Sequence, residues 1–288
     1  MIDKILDTNE EFDQTIFFRK IYQDLKTDGK ITHPRGTTCL ELENYRIDFP
    51  QYYRFPNFES RKLNLNYIKQ EFMWYLNGNP YDLSILDHAK MWKDFVRDDG
   101  TIYSNYGQFL WGVVGRDGNQ FLRCFELLKS DMDTRRATIT ILQPKHLLDS
   151  SAKEIPCTKS ISFMIRDNKL NMTVQMRSQD SIYGFGSDTP VFSFIHEMMF
   201  VLCKDVYPEI KIGTYCHQAD SFHIYERHFE MLDKIVQNDR FHLIECPRMY
   251  DKYEVMNLIN LKFNAVKEAI GEIPKKWEFT NWLLNTGE

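Results

Sequence analysis

Two runs of strict alternation lie in the middle of the chain. Ile161, Phe163 and Ile165 alternate with Ser160, Ser162, Met164 and Arg166; beyond Asp167-Asn168-Lys169, Leu170, Met172, Val174 and Met176 alternate with Asn171, Thr173 and Gln175. A period of two on both sides of an Asp-Asn turn predicts an antiparallel hairpin. Ala137 to Leu142 and Lys211 to His217 read as further strands, and Thr37 to Phe49 as a strand pair turning near Glu43-Asn44. Elsewhere the pattern is helical: residues 12–27, 65–76 ending at the Asn77-Gly78 stop, 117–130, and about Pro190 to Cys203. In 117–130, Phe121, Cys124, Phe125 and Leu128 share one face. Ser221 to Val236 reads as a helix capped by Asp220 or Ser221. Lys145 to Glu154 is a polar loop, and the tail beyond Arg248 is charged and mostly helical in pattern. Helices interspersed with antiparallel strands predict an α+β fold. A single domain spans 1–288, with about 249–288 as a helical C-terminal extension.

Composition narrows the function. With 288 residues, 43% hydrophobic and 14% aromatic, the chain can bury a sizeable core. A formal charge of −5 leaves no basic footprint, so direct DNA binding is not expected. Met1 to Asp7 is charged and lacks a signal-like apolar core, and the apolar stretch from Met198 to Cys203 is too short to span a bilayer. The expected location is the cytoplasm, with no membrane partner. There the six cysteines (39, 124, 157, 203, 216 and 246) should be thiols. None forms a C-x-x-C pair, so no metal is expected.

The chemistry concentrates at the ends of the hairpin. Cys157 stands where its first strand begins, and Arg177-Ser178-Gln179-Asp180 follows its second. That layout sets a sulfur nucleophile beside an anion clamp and suggests covalent chemistry on a phosphorylated small molecule. Nearby guanidinium groups should lower the thiol pKa. The alternative is a structural hairpin with a buried cysteine.

Six motifs in one order extend this reading: Glu71-Phe72-Met73-Trp74-Tyr75-Leu76-Asn77-Gly78, Ser104-Asn105-Tyr106-Gly107, Asp133-Thr134-Arg135-Arg136, Ile155-Pro156-Cys157, Arg177-Ser178-Gln179-Asp180 and His223-Ile224-Tyr225. From about Arg35 to His228 the chain resembles the thymidylate synthase superfamily. The resemblance implies a mixed or antiparallel sheet packed with helices, a homodimer formed through the sheet, and one-carbon transfer from 5,10-methylenetetrahydrofolate to a pyrimidine nucleotide. It makes Cys157 the nucleophile at C6 and Glu71 the organiser of waters and proton transfers. Tyr106 assists removal of the C5 proton. Arg177 and Ser178 bind the phosphate, joined by Arg35 on a loop and by Arg135 and Arg136 from the other subunit. His223 and Tyr225 hold the sugar 3′-hydroxyl, Asp180 supports folate and base, and Trp92 lies against the folate.

One position bears on the base. Gly184 is followed four residues later by Asp188, where thymidylate synthases carry Asn. The same exchange marks the deoxycytidylate hydroxymethylase branch found in bacteriophages. Cytosine presents an N4 amino donor, and a carboxylate accepts both from it and from a protonated N3. The resemblance thus implies dCMP as substrate and 5-hydroxymethyl-dCMP as product, for modified DNA. Thr158 replaces the His that follows many synthases' cysteine, and the apolar closing segment of the synthases is not recognisable in Trp282-Leu283-Leu284-Asn285-Thr286-Gly287-Glu288. A dCMP methylase, a thymidylate synthase, a CMP-acting enzyme and a non-catalytic nucleotide- or RNA-binding homologue remain open alternatives.

Overall fold

The computed structural model describes residues 8–50, 52–112, 118–260 and 273–285. Met1 to Asp7, residue 117 at the start of an expected helix, residues 261–272 of the tail and Thr286-Gly287-Glu288 lie outside them. In chain order the elements are helix α1 (Thr8–Asp28), strands β1 (Lys30–Thr32) and β2 (Cys39–Phe49), and helices α2 (Leu65–Asn77), α3 (Gly107–Leu110) and α4 (Gln120–Ser130). Strand β3 (Thr138–Thr140), helix α5 (Pro144–Leu148), strands β4 (Thr158–Arg166), β5 (Lys169–Met176) and β6 (Gln179–Asp180) and helix α6 (Tyr183–Val206) follow. Strand β7 (Lys211–Tyr225), helices α7 (Phe229–Gln237) and α8 (Lys252–Asn260) and a short helix Glu278–Leu284 complete the order.

The expected hairpin is β4 and β5, joined by Asp167 and Asn168 at φ 51° and 56°. Arg166 pairs with Lys169 across that two-residue turn. Two left-handed residues give a turn whose twist matches the strands, and Asp and Asn tolerate that region better than other side chains. The sheet runs β1-β2-β7-β5-β4-β3, with β6 beside β7. β7 lies parallel to β5 and β6, whereas the other pairs are antiparallel, so the sheet is mixed.

Alternation in the hairpin sorts its two faces. Ile161, Phe163, Ile165, Leu170, Met172 and Val174 are buried. Ser160, Ser162, Met164, Asn171, Thr173 and Gln175 are partly or fully exposed. α6 packs against β5 and β7 and is buried on nearly all sides.

Four expectations change. Thr37 to Phe49 is not a strand pair: β2 pairs with β7 from Cys39↔Tyr225 to Phe49↔Tyr215, and Asn44 takes φ 53° inside the strand. Ser221 is not a helix start, because β7 continues to Tyr225 with Phe222 and Ile224 paired to Leu42 and Leu40. Helix α7 begins only at Phe229. α6 starts seven residues before Pro190, because Asp180 Oδ1 accepts the amides of Ile182 at 2.7 Å and Tyr183 at 3.4 Å. The polar loop also contains α5, opened by Pro144 and a Gln143–His146 capping box.

The described part of the tail docks behind α2 and α6. Glu254 accepts from the Thr280 amide at 2.9 Å and hydroxyl at 2.8 Å, while Phe279 meets Phe194 and Phe72. Nearby, Arg54 and Glu197 form a salt bridge, each 2% exposed, and Glu197 Oε1 also accepts from the Met249 amide. No described helix is long and apolar enough to cross a membrane.

Candidate active site

A cavity of about 1190 Å³ opens where the hairpin mouth, α2, the first turns of α6 and the end of β7 converge. Arg35, Glu71, Trp92, Tyr106, Cys157, Arg177, Ser178, Asp180, Asp188, His223 and Tyr225 all line it. Arg135 and Arg136 are exposed just before β3 and do not. The fold therefore unites residues separated by up to 190 positions, and leaves that arginine pair on the surface.

The thiol and the clamp are locked together by backbone. The Arg177 amide donates to the Cys157 carbonyl at 2.7 Å. The Arg177 guanidinium donates to the carbonyls of Pro156 at 3.0 Å and Ile155 at 2.8 Å, and reaches Cys157 Sγ at 3.5 Å. Tyr106 Oη accepts from the Cys157 amide at 3.2 Å and the Thr158 amide at 3.4 Å, which places the phenol beside the sulfur. The expected depression of the thiol pKa does not occur. Burial pushes Cys157 up to about 11; Arg177 and Arg35 pull it down, but Asp188 and Glu154 push it further up. Desolvation outweighs the cations in this enclosed site.

Two carboxylates form the opposite wall. Glu71, midway along α2, accepts from Tyr67 Oη at 2.9 Å, and Trp92 Nε1 donates to the same Tyr67 oxygen at 3.1 Å. The second Glu71 oxygen, Oε2, is buried, with the hydroxyls of Ser187 and Tyr75 near the carboxyl. Asp188 lies one helical turn beyond Gly184, on the same side of α6. Its Oδ2 accepts from Gln179 Nε2 at 2.9 Å. Burial raises the Glu71 carboxyl, with the Asp188 charge adding to it and the hydroxyls of Tyr67, Ser187 and Tyr75 opposing. Burial also raises Asp188, opposed by the Gln179 hydrogen bond. Gly184 leaves room for this hydrogen bond, since a Cβ there would stand 2.7 Å from Gln179 Nε2 and force the amide to shift.

The remaining residues frame the mouth. Asp180 holds the start of α6 with Oδ1 while its side chain borders the cavity. His223 Nδ1 lies 3.3 Å from Ser221 Oγ, and its ring meets Tyr225 edge-on at 5.1 Å. Arg35 is exposed at φ 50° in the turn Pro34–Gly36. A non-glycine residue held in the left-handed region is uncommon and often marks a functional turn.

Sequence reasoning missed Tyr67, Glu154 and the role of Gln179. Tyr67 sits one turn before Glu71, so helical spacing was the available signal. Glu154 precedes the Ile155-Pro156-Cys157 run and lines the cavity, with Oε1 buried and unpartnered. Its carboxyl is raised to about 7 by burial, against the pull of Arg177. Nothing in the polar loop pattern distinguished it.

A family model described as thymidylate synthase matches residues 17–267. Deoxycytidylate 5-hydroxymethyltransferase of Enterobacteria phage T6 is 27% identical over 190 residues, covering 64% of this chain and 76% of that protein. Deoxyuridylate hydroxymethyltransferase of Bacillus phage SP01 is 29% identical over 222 residues, covering 72% of this chain and 56% of that protein. A thymidylate synthase of Francisella philomiragia is 22% identical over 255 residues, covering 82% of this chain and 91% of that protein.

Proposed function

The chain belongs to the thymidylate synthase family, and on that premise we propose that it is a dCMP hydroxymethylase, converting dCMP to 5-hydroxymethyl-dCMP. The observation that carries this reading is Asp188 on the cavity wall, where one oxygen is already engaged by a Gln179 N–H. A carboxylate in that position offers acceptors to the cytosine N4 amino group and to a protonated N3. Uracil presents an O4 acceptor there, which a carboxylate repels.

The site fits the family's co-substrate, methylenetetrahydrofolate. Its volume exceeds what one drug-sized ligand needs. Trp92 offers an indole face in the wall, and Glu71 and Glu154 set carboxyl groups on the same lining. Asp180 and Trp92 would hold the folate, which supplies a one-carbon unit at the oxidation level of formaldehyde.

In this mechanism Arg177 and Ser178 bind the nucleotide phosphate, with Arg35 closing from its turn. His223 and Tyr225 hydrogen-bond the sugar 3′-hydroxyl. Asp188 holds the base and favours a proton on N3, which draws electrons from the ring. Cys157 gives up its proton and attacks C6 as thiolate, making C5 nucleophilic toward the one-carbon unit. Tyr106, fixed beside the thiol, assists removal of the C5 proton. Once the bond from the one-carbon unit to the folate nitrogen breaks and tetrahydrofolate leaves, water organised by Glu71 adds to the exocyclic carbon, and expulsion of Cys157 as thiolate restores the aromatic ring.

Arg135 and Arg136 complete the phosphate site of a second copy in a C2 dimer formed through the polar face of the sheet. The relatives named for phage enzymes support a place in the cytoplasm of an infected host, supplying nucleotide for modified DNA. The relative named for deoxyuridylate favours a second reading, in which dUMP is the substrate. Release of tritium from the C5 position of labelled dCMP, dUMP and CMP, with methylenetetrahydrofolate present, tests the choice. Turnover of dCMP at the highest kcat/KM supports the proposal; turnover of dUMP alone overturns it.

A further inference from the structure

Behind Asp188 runs a buried chain of polar side chains that leads away from the cavity. Gln179 Nε2 donates to Asp188 Oδ2 at 2.9 Å, and His217 Nε2 lies 2.9 Å from Gln179 Oε1. His217 Nδ1 lies 2.8 Å from Tyr215 Oη. Gln179, His217 and Tyr215 are 2%, 0% and 3% exposed. Apolar side chains would fill this space without any desolvation cost, so a satisfied polar chain here calls for a role.

The donor and acceptor inventory gives the chain one direction. His217 is held neutral, because burial lowers its pKa to about 3, so the ring carries a single N–H. Turning the Gln179 amide over would set its oxygen against a carboxylate oxygen. With the amide N–H on Asp188, Gln179 Oε1 needs a donor, which places the imidazole proton on Nε2. Nδ1 is then the acceptor for the Tyr215 hydroxyl, whose own pKa burial raises far above neutral. Gly184 keeps the space open: any β-carbon there would crowd the Gln179 amide at 2.7 Å.

We propose that Tyr215, His217 and Gln179 form a positioning relay that orients Asp188 and holds it as a hydrogen-bond acceptor for cytosine. The inference rests on the reading of Asp188 as the base-recognising residue, and deepens it. One lone pair of Oδ2 is committed to Gln179, and the remaining acceptor positions face the pyrimidine. The relay works among other charged and titratable groups around Asp188: Glu71 and Tyr75 on α2, Asp180 on β6, and Tyr67. Its contribution is the donor that offsets burial and the Asp180 charge, which both push Asp188 toward its protonated form.

Gln179→Leu keeps the approximate volume and removes the donor. A hydrogen bond to a charged acceptor is worth enough to change kcat/KM for dCMP by roughly 10- to 100-fold. The expected result is that loss, a smaller change for dUMP, and an upward shift of the acid limb of the dCMP pH profile. Tyr215→Phe frees the imidazole to change tautomer and should give the same pattern at reduced size. An equal loss for both nucleotides with an unchanged pH profile would overturn the relay. Nitrogen-15 NMR of histidine-labelled wild-type protein decides independently of any variant's folding: an Nε2–H tautomer at His217 is expected, and an Nδ1–H tautomer overturns the proposal. If the wild type turns over neither pyrimidine, the proposed function fails, while the tautomer still reports on the relay.

Discussion

Replacing Asp188 by Asn exchanges a carboxylate for an amide of the same shape. Gln179 Nε2, 2.9 Å from Oδ2, would keep its acceptor by holding the new amide oxygen, which turns the new NH₂ toward the base. Cytosine then faces donor with donor. It loses a hydrogen bond to a charged acceptor, worth about 1.5–3 kcal/mol, and leaves buried donors unpaired at about 1–3 kcal/mol. A combined loss of about 3–5 kcal/mol is roughly 10²- to 10⁴-fold in kcat/KM for dCMP. Uracil gains the donor its O4 requires and escapes a facing carboxylate, so its kcat/KM should rise by roughly 10- to 100-fold. Steady-state tritium release from both C5-labelled nucleotides measures each change. A variant that still prefers dCMP would refute the assignment of base choice to this side chain.

Cys157→Ala should abolish C5 tritium release while dCMP still binds, as equilibrium dialysis would register; persistent release would rule out covalent catalysis. Glu197→Ala leaves the Arg54 guanidinium buried and unpaired, and should cost about 3–5 kcal/mol in urea unfolding. Glu197→Gln also removes the charge but retains an acceptor for Met249, so a Gln variant as stable as wild type would contradict a charge origin. Glu154→Gln tests a pH dependence. Folding raises the Glu154 carboxyl to about 7, so the unfolded chain ionises first and this residue costs stability as pH rises from about 4.3 to 7. The variant should match wild type near pH 4 and exceed it by about 1–3 kcal/mol at pH 8; no difference at pH 8 would show the burial cost to be absent.

The hairpin was legible because one face of each strand is buried, which writes a period of two into β4 and β5. The candidate site residues were legible as motifs: Cys157, Arg177, Asp180 and Tyr225 stand at strand ends, whereas Glu71 and Asp188 lie within helices. The end of β7 was not: Ser221 to Tyr225 carries buried residues whose strand state depends on pairing with β2, a contact distant in sequence. The start of α6 was obscured by Pro190, although the decisive signal, the Asp180 carboxylate on the first amides, was present. The high thiol pKa was unreadable for another reason. Sequence names the cations near Cys157 but not how deeply the fold buries it, and burial outweighs them. Tyr215, His217 and Gln179 were individually plain, and only folding set them in line behind Asp188.

The most direct test of the central claim follows both products of one reaction. Purified protein is incubated with dCMP and methylenetetrahydrofolate, the nucleotide is identified by mass, and dihydrofolate is measured alongside it. The account predicts 5-hydroxymethyl-dCMP without matching dihydrofolate, because water rather than hydride completes the reaction. Formation of 5-methyl-dCMP with an equal amount of dihydrofolate would contradict it.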